Sequence, residues 1–329
     1  TSHSLPAKFP INENTLRLIG YYLAEGNIDK NKIQITNSKP EIIRDIREIC
    51  AKELNLNISQ REIRGLGKSV QMYLNSRPLR DLLIYLECGK TSLYKRIPSF
   101  VYGLSEKKIC SLLKGMYSGD GSFSNTKSAG NMVRYFSTSR KLVEDVVYAL
   151  LSLGIVARIH SREGKLGNRE CFTAEIKQRK YVEYFLEKIG FTHKNPEIFK
   201  KSFSHSKDDF VSFDVRELEK HLKLPRDYRH LRRTGRCSKD YLKKLTEEVE
   251  CDDEIYDFAH GDFFIDRIKS IEVLNLSSSE YVYDLSVSST ERFIGGFGGI
   301  LLHNTEATAL YEAMRVGALA NVVAGTIHG

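Results

Sequence analysis

Apolar positions follow one pattern that the chain runs through twice. Leu16, Ile19, Gly20, Leu23 and Ala24 keep the i, i+3, i+4, i+7, i+8 spacing of a single helix face, and Ile109, Leu112, Leu113, Met116 and Tyr117 repeat it. Each helical stretch ends in an acid followed by glycine, Glu25-Gly26 and Asp120-Gly121. Strand-like stretches follow over 27–36 and 122–137, then amphipathic helices over 41–54 and 140–153. Further alternating stretches, 58–63 with 70–74 and 156–160 with 171–176, predict strands, and helices over 77–86 and 180–189 close each unit. Helix, strands, helix, strands, helix, given twice, predicts an α+β fold whose halves pack about an internal pseudo-two-fold within one monomer.

After about residue 200 the pattern changes. Residues 201–261 form a separate zone, with a helix over 238–249 capped by Ser238 and an acidic stretch over 247–257. From 263 to 302, short runs of Ile, Val, Tyr and Leu are broken by serine and glycine turn signals, predicting an all-β piece. Residues 306–320 return to helical spacing.

Charge sharpens this division. The net charge of +8 is the sum of an excess of +19 over the first 244 residues and −11 over the last 85. The front part therefore predicts a polyanionic partner. No apolar run reaches the ~20 residues of a membrane helix, so no membrane partner is expected. The six cysteines form no C-x-x-C pair, which predicts reduced thiols and a cytoplasmic location rather than a zinc or disulfide framework. The chain opens on Thr1, not Met, and is expected to be a piece of a longer product.

The acids at the helix ends carry the candidate chemistry. Gly20 with Ala24, and Gly115 with Gly119, form small-x-x-x-small stripes that let two helix backbones approach closely. Such packing brings Glu25 and Asp120 together at the mouth of the strands. Paired carboxylates beside a basic surface suit a hard cation such as Mg²⁺, with phosphodiester hydrolysis as the matching reaction. The two segments, Leu18 to Gly26 and Leu113 to Gly121, resemble the signature motif of LAGLIDADG (dodecapeptide-type) homing endonucleases in their single-chain, two-repeat form. The resemblance covers residues 11–200, with repeats over about 11–100 and 101–200. It implies αββαββα halves and saddle-shaped sheets on double-stranded DNA with a long recognition site. It also implies motif-helix packing through Gly20, Ala24, Gly26, Gly115, Gly119 and Gly121, metal bound at Glu25 and Asp120, and catalytic lysines near the scissile phosphates. By position those lysines are Lys95 and Lys194, with Lys90 as a competitor.

DNA reading is expected on the strands, from Lys30, Lys32, Gln34 and Asn37 in the first half and Asn125, Lys127 and Arg134 in the second, because these side chains suit base edges. The basic zone adds Arg229, Arg232, Arg233 and Arg236 as phosphate contacts, or is simply a solvated charged face.

A second chemistry is written at the end of the β piece. Residues 281–302 lead to His303-Asn304-Thr305, and residues 262–304 resemble the C-terminal (Hint-type) splicing region of inteins. Asn304 can cyclise through its side-chain amide, His303 can act as acid–base partner, and Thr305 can serve as acceptor nucleophile. By resemblance Asp284 assists; Glu291 stands where many inteins carry histidine. Residues 305–329 resemble a segment of secretion and type IV pilus assembly ATPases, the start of a C-extein. The N-terminal half of the splicing fold, with its first nucleophile and a T-x-x-H histidine, is absent before Thr1, so splicing by this chain alone is not expected. The sequence thus points to an intein-borne nuclease cutting the intein-less host gene. Two rivals stay open: a nucleic-acid-binding protein on the same scaffold whose nuclease has decayed, in the manner of maturases and regulators, and an element whose act is cleavage at Asn304.

Overall fold

A computed structural model describes residues 8–30, 32–63, 69–126, 130–163, 170–193, 210–212, 219, 229–261, 263–264, 287, 292–295, 300–303 and 326–327. It divides into two compact units, Thr1–Lys207 and Asp208–Gly329.

The first unit is α+β and gives one arrangement twice. Helix α1 (Glu13–Glu25) is followed by strands β1 (Gly26–Asp29) and β2 (Lys32–Asn37), helix α2 (Pro40–Leu54), strands β3 (Ile58–Ile63) and β4 (Ser69–Leu74), and helix α3 (Arg77–Tyr85). The second half repeats this as α4 (Glu106–Asp120), β5 (Gly121–Thr126), β6 (Gly130–Ser137), α5 (Arg140–Leu151), β7 (Arg158–Glu163), β8 (Glu170–Ile176) and α6 (Arg179–Lys188). Each half holds a four-stranded antiparallel sheet, in the orders β1-β2-β4-β3 and β5-β6-β8-β7. Local chemistry sets the boundaries. Asn12 caps α1 by accepting from Thr15 N (3.0 Å) while Thr15 Oγ1 accepts from Asn12 N (3.2 Å). Pro40 opens α2, and Ser139 caps α5 by accepting from Leu142 N.

Strand alternation decides which residues reach the core. Ile33, Ile35, Met72 and Leu74 of the first sheet, and Val133, Tyr135, Ala174 and Ile176 of the second, join the helices in one continuous apolar core. The centre of that core is the α1–α4 contact. A Cβ added to Gly20 would overlap the Leu112 carbonyl oxygen and lie 2.9 Å from Met116 N. One added to Gly115 would overlap the Arg17 carbonyl oxygen and lie 3.0 Å from Tyr21 N. The contact is reciprocal, as two-fold packing demands. Glycine's cost in helix propensity, about 1 kcal/mol, is therefore the condition for backbone-to-backbone approach. Gly115→Val is expected to destabilise the unit by about 3 kcal/mol or more, because both walls of the contact are backbone and cannot yield. Urea unfolding of the variant beside the parent chain checks this.

Gly26 and Gly121 do not share that task. Their added Cβ atoms would meet their own helices, at Tyr22 and Tyr117, and their φ values of −92° are ordinary extended backbone. Each turns the chain into a strand tight against the preceding tyrosine. The assignment of Gly26 and Gly121 to helix packing is corrected accordingly.

The second unit, by itself, holds helices α7 (Arg229–Thr234), α8 (Lys239–Glu248) and α9 (Asp253–His260), which bury Leu231, Cys237, Leu242, Leu245 and Ala259 together. Ser238 caps α8. Strands β9 (Phe210–Ser212) and β10 (Arg236–Ser238) pair antiparallel. A separate sheet has the order β11 (Phe263–Phe264), β14 (Thr326–Ile327), β13 (Ile300–His303), β12 (Arg292–Gly295). In it His303 stands opposite Arg292. The strand at 326–327, beyond the helical pattern of 306–320, was not foreseen in the sequence. Among the described residues no helix is long and apolar enough to cross a membrane.

Candidate active site

Glu25 and Asp120 are the last residues of α1 and α4, the two helices that the glycines press together. A Cβ on Gly119 would lie 2.6 Å from Ala24 Cβ, 2.9 Å from Glu25 Cγ and 3.8 Å from the Glu25 carboxyl carbon. The first acid thus lies along the end of the second helix. Both sit at a helix C-terminus, where the macrodipole disfavours negative charge.

The electrostatics reflect this crowding. Burial pushes the Asp120 carboxyl up to about 7, Glu25 adds repulsion, and Lys95 and Lys39 oppose the rise. Burial likewise raises Glu25, against the attraction of Lys39. Lys95 is 1% exposed. Its Nζ donates to Tyr22 O at 2.5 Å and stands 3.4 Å from the centre of the Tyr22 ring. Burial brings its ammonium down to about 7, with Cys88 and Asp120 pulling the other way. The lysine of the first repeat therefore answers the acid of the second. Its competitor Lys90 is exposed, and its backbone carbonyl accepts from Ile28 N at 2.9 Å.

Lys39, which the sequence reading passed over, belongs to this group. It immediately precedes Pro40, and its Nζ donates to Ser118 O at 3.0 Å. Burial lowers its pKa, while Glu25 and Asp120 raise it. In a lysine-rich chain a lone lysine carries no signal, but its place just before the helix-opening proline puts it within reach of both acids. Among the described residues no three His, Cys, Asp or Glu side chains gather into a metal cage. The acid pair nevertheless fits a hard divalent cation, which takes one or two carboxylates and fills its remaining positions with water and phosphate oxygen. Two buried carboxylates whose ionisation is held back are the donors such a charge would favour.

The pleat sorts the expected DNA-reading residues. Opposite residues of an antiparallel pair share a face. Gln34 pairs with Asn27 and Tyr73, Thr36 with Gln71, and Ser59 with Tyr73. This polar face also holds Lys32, which is exposed with its Nζ 5.8 Å from the Tyr73 ring centre. Gln71 donates to Gln34 (2.8 Å) and accepts from Tyr73 (2.7 Å). Lys30 lies beside it at the β1–β2 turn, exposed and at φ 51°. Asn37 has the opposite parity. It is buried, 3.4 Å from Glu25 Oε1 through its amide, and its Oδ1 accepts from Lys39 N at 2.9 Å. Asn37 is thus part of the acid site, not of the polar sheet face. In the second sheet Arg134 pairs with Ser122 and is held by Glu175 at 2.8 Å. Asn125, opposite Asn131, lies on the other face from Arg134. Asn27, Thr36, Gln71 and Tyr73 share this polar face and were not singled out from the sequence; alternation along β2 from Gln34 reaches Thr36, and the other three follow only from the cross-strand register.

Arg233 is exposed in the short helix of the second unit; Arg229 lies in the same helix with Arg232, and Arg236 in the strand that follows. Lys127, Lys194, Asp284, Asn304 and Thr305 lie outside the described residues.

Comparison with known proteins places this arrangement. Residues 12–90 and 107–190 each match the family described as LAGLIDADG-like domain. Over 351 residues the chain is 27% identical to DNA-directed RNA polymerase subunit Rpo1C of Methanocaldococcus jannaschii, covering 94% of this chain and 38% of that protein. It is 25% identical over 310 residues to a DNA polymerase of Thermococcus kodakarensis, covering 90% of this chain and 16% of the polymerase. The chain thus spans well under half the length of either relative. Among solved structures it is similar to I-DmoI in complex with DNA and Mn, at 16% identity and a TM-score of 0.41, covering 55% of this chain and 98% of that one. The first unit of this chain is thus similar to a LAGLIDADG-like domain at two places, with Glu25 and Asp120 at the ends of the paired helices α1 and α4.

Proposed function

We propose that the chain is an intein-borne, site-specific homing endonuclease that makes Mg²⁺-dependent double-strand breaks in DNA. The carrying observation is the acid pair, two carboxylates held together by backbone-close helices and flanked by Lys39 and Lys95. Each sits where its helix runs directly into the first strand of a sheet with a polar outer face. A bound divalent cation supplies Lewis acidity at a phosphodiester. Glu25 and Asp120 hold that charge, Asn37 orients Glu25, and Lys95 and Lys39 supply positive charge against the reacting phosphate. The polar sheet faces, with Lys32, Gln34, Gln71 and Arg134, read the duplex.

The relatives support the intein reading. An RNA polymerase subunit and a glutamine–fructose-6-phosphate aminotransferase of Methanocaldococcus jannaschii have different activities, yet 94% and 91% of this chain align within them. A segment common to unrelated hosts behaves as an insert. In that reading residues 262–304 provide the C-terminal splicing elements, with Asn304 cyclising and Thr305 beginning the C-extein, and the basic zone 201–261 adds phosphate contacts.

The test is cleavage of a plasmid carrying the uninterrupted host gene around the Thr305 junction, with and without Mg²⁺. Linear product that requires Mg²⁺ and disappears with chelator is expected. Salt-sensitive binding with no cut at any site would overturn the nuclease and leave the decayed, DNA-binding form.

A further inference from the structure

Lys95 lies between α3 and α4, in the first repeat, but its backbone is held by the second. Ser139 Oγ donates to Lys95 O at 2.8 Å while accepting from Leu142 N at the start of α5. Asp145, farther along α5, accepts from Ile97 N at 2.9 Å and stands 3.3 Å and 3.4 Å from the Arg96 guanidinium. Both Ser139 and Asp145 are buried. Three consecutive residues, 95 to 97, are thus gripped by two side chains of one helix from the other half. With its backbone fixed from there, the Lys95 side chain runs back to the Tyr22 carbonyl and ring on α1.

The first half also touches the second around the acid site, through residues of α1 and α2. Lys39 Nζ reaches Ser118 O, and Asp45 accepts from the Tyr21 hydroxyl at 2.6 Å. That hydroxyl meets Thr192 Oγ1 at 2.7 Å, and Thr192 N donates to Ser118 Oγ at 2.8 Å. The first half thus meets the segment after α6 through the Tyr21 hydroxyl, which Asp45 holds in turn.

We propose that Ser139 and Asp145 are positioning residues for Lys95, so that the second repeat sets the geometry of the lysine that the first repeat supplies. What Lys95 then does rests on the endonuclease reading above; the grip itself does not. Helix α5 packs on β6 and β8, so the sheet that would read one half-site is mechanically tied to the lysine contributed by the other half. Recognition at one half-site is thereby coupled to chemistry at the acid pair.

The test uses the full chain with Ser139→Ala, Ser139→Thr, Asp145→Ala, Lys95→Met and a control, Arg140→Gln, on the exposed side of the same helix. The first readout is acylation of individual lysines by an amine-reactive ester, resolved by peptide mass spectrometry. Lys95 should react about tenfold faster in Asp145→Ala and Ser139→Ala, with Lys114, a half-buried lysine of α4, unchanged and Ser139→Thr restoring protection. Unchanged Lys95 reactivity, or a rise shared by Lys114, overturns the proposal. The second readout is strand-resolved nicking of end-labelled target. Asp145→Ala should slow one strand about tenfold and the other less than about twofold, and Lys95→Met with Asp145→Ala should be no slower than Lys95→Met alone. Equal slowing of both strands, or full additivity in the double variant, overturns the coupling. Selective acylation with Lys95→Met cutting at the parent rate would instead remove the nuclease role of Lys95 and leave the grip standing.

Discussion

Asp120→Asn is expected to lower double-strand cleavage by about 10³-fold while changing DNA affinity by less than about threefold. The substitution keeps the size of the side chain and one carbonyl oxygen but removes the ionisable oxygen that a divalent charge requires. Asp120 is the acid more strongly held back from ionising, and it answers both Lys95 and Lys39; among the described residues no third carboxylate gathers with it and Glu25 to take its place. In the proposed reading DNA affinity rests on other groups, the polar sheet faces and the lysines and arginines around them, most of which lie away from the helix ends. The check is a plasmid assay that separates nicked from linear product, run beside a filter-binding titration at fixed salt, since affinity without a stated salt concentration carries no meaning here. Glu25→Gln should show the complementary loss. If Asp120→Asn cuts at the parent rate, the acid pair is not the metal site and the proposed reaction falls with it.

Much of this was legible in the sequence, and the parts that were not share a cause. The paired helices, the order of strands and the meeting of Glu25 with Asp120 follow from a helical period and two glycine stripes, which are local signals repeated twice. Gly20 and Gly115 could be read because only backbone contact accounts for glycine in a helix interior. Asn37 and Asn125 were misplaced because residue type was read without strand parity, and one residue of register moves a side chain to the other face. Lys39, Ser139 and Asp145 act through contacts between residues far apart in the chain, Lys39 with Ser118 and Asp145 with Ile97. Such partners leave no pattern along the sequence. Gly26 and Gly121 show the opposite failure: a motif letter was assigned to the helix interface when the atoms it makes room for belong to its own helix.

The metal-free protein should lose stability as pH rises toward neutrality, and Asp120→Asn should restore it. The Asp120 carboxyl has an ordinary value of 3.8 and stands at about 7 in the fold. Its contribution is therefore fully present below pH 3.8 and is lost as pH climbs through 7, since in that window the unfolded chain has released a proton that the folded chain still holds. The loss is on the order of 4 kcal/mol. Lys95 acts in the reverse sense on the other side. Its folded value of about 7 lies below the ordinary 10.5, so stability recovers between those values as the unfolded chain keeps the proton that the folded chain gives up. A minimum near pH 7 follows, measured by urea unfolding in chelator from pH 4 to 10. Asp120→Asn should flatten the acid limb and Lys95→Met the alkaline one. Mg²⁺ should raise the parent's stability near the minimum far more than that of Asp120→Asn, because only the parent gains a charge beside its buried carboxylate. The same substitution is thus expected to stabilise the fold near pH 7 and to end cleavage, two effects of opposite sign that a merely misfolded variant cannot show together. A parent chain whose stability in chelator at pH 7 equals that at pH 5 would show that the two acids are not packed as the helix ends require.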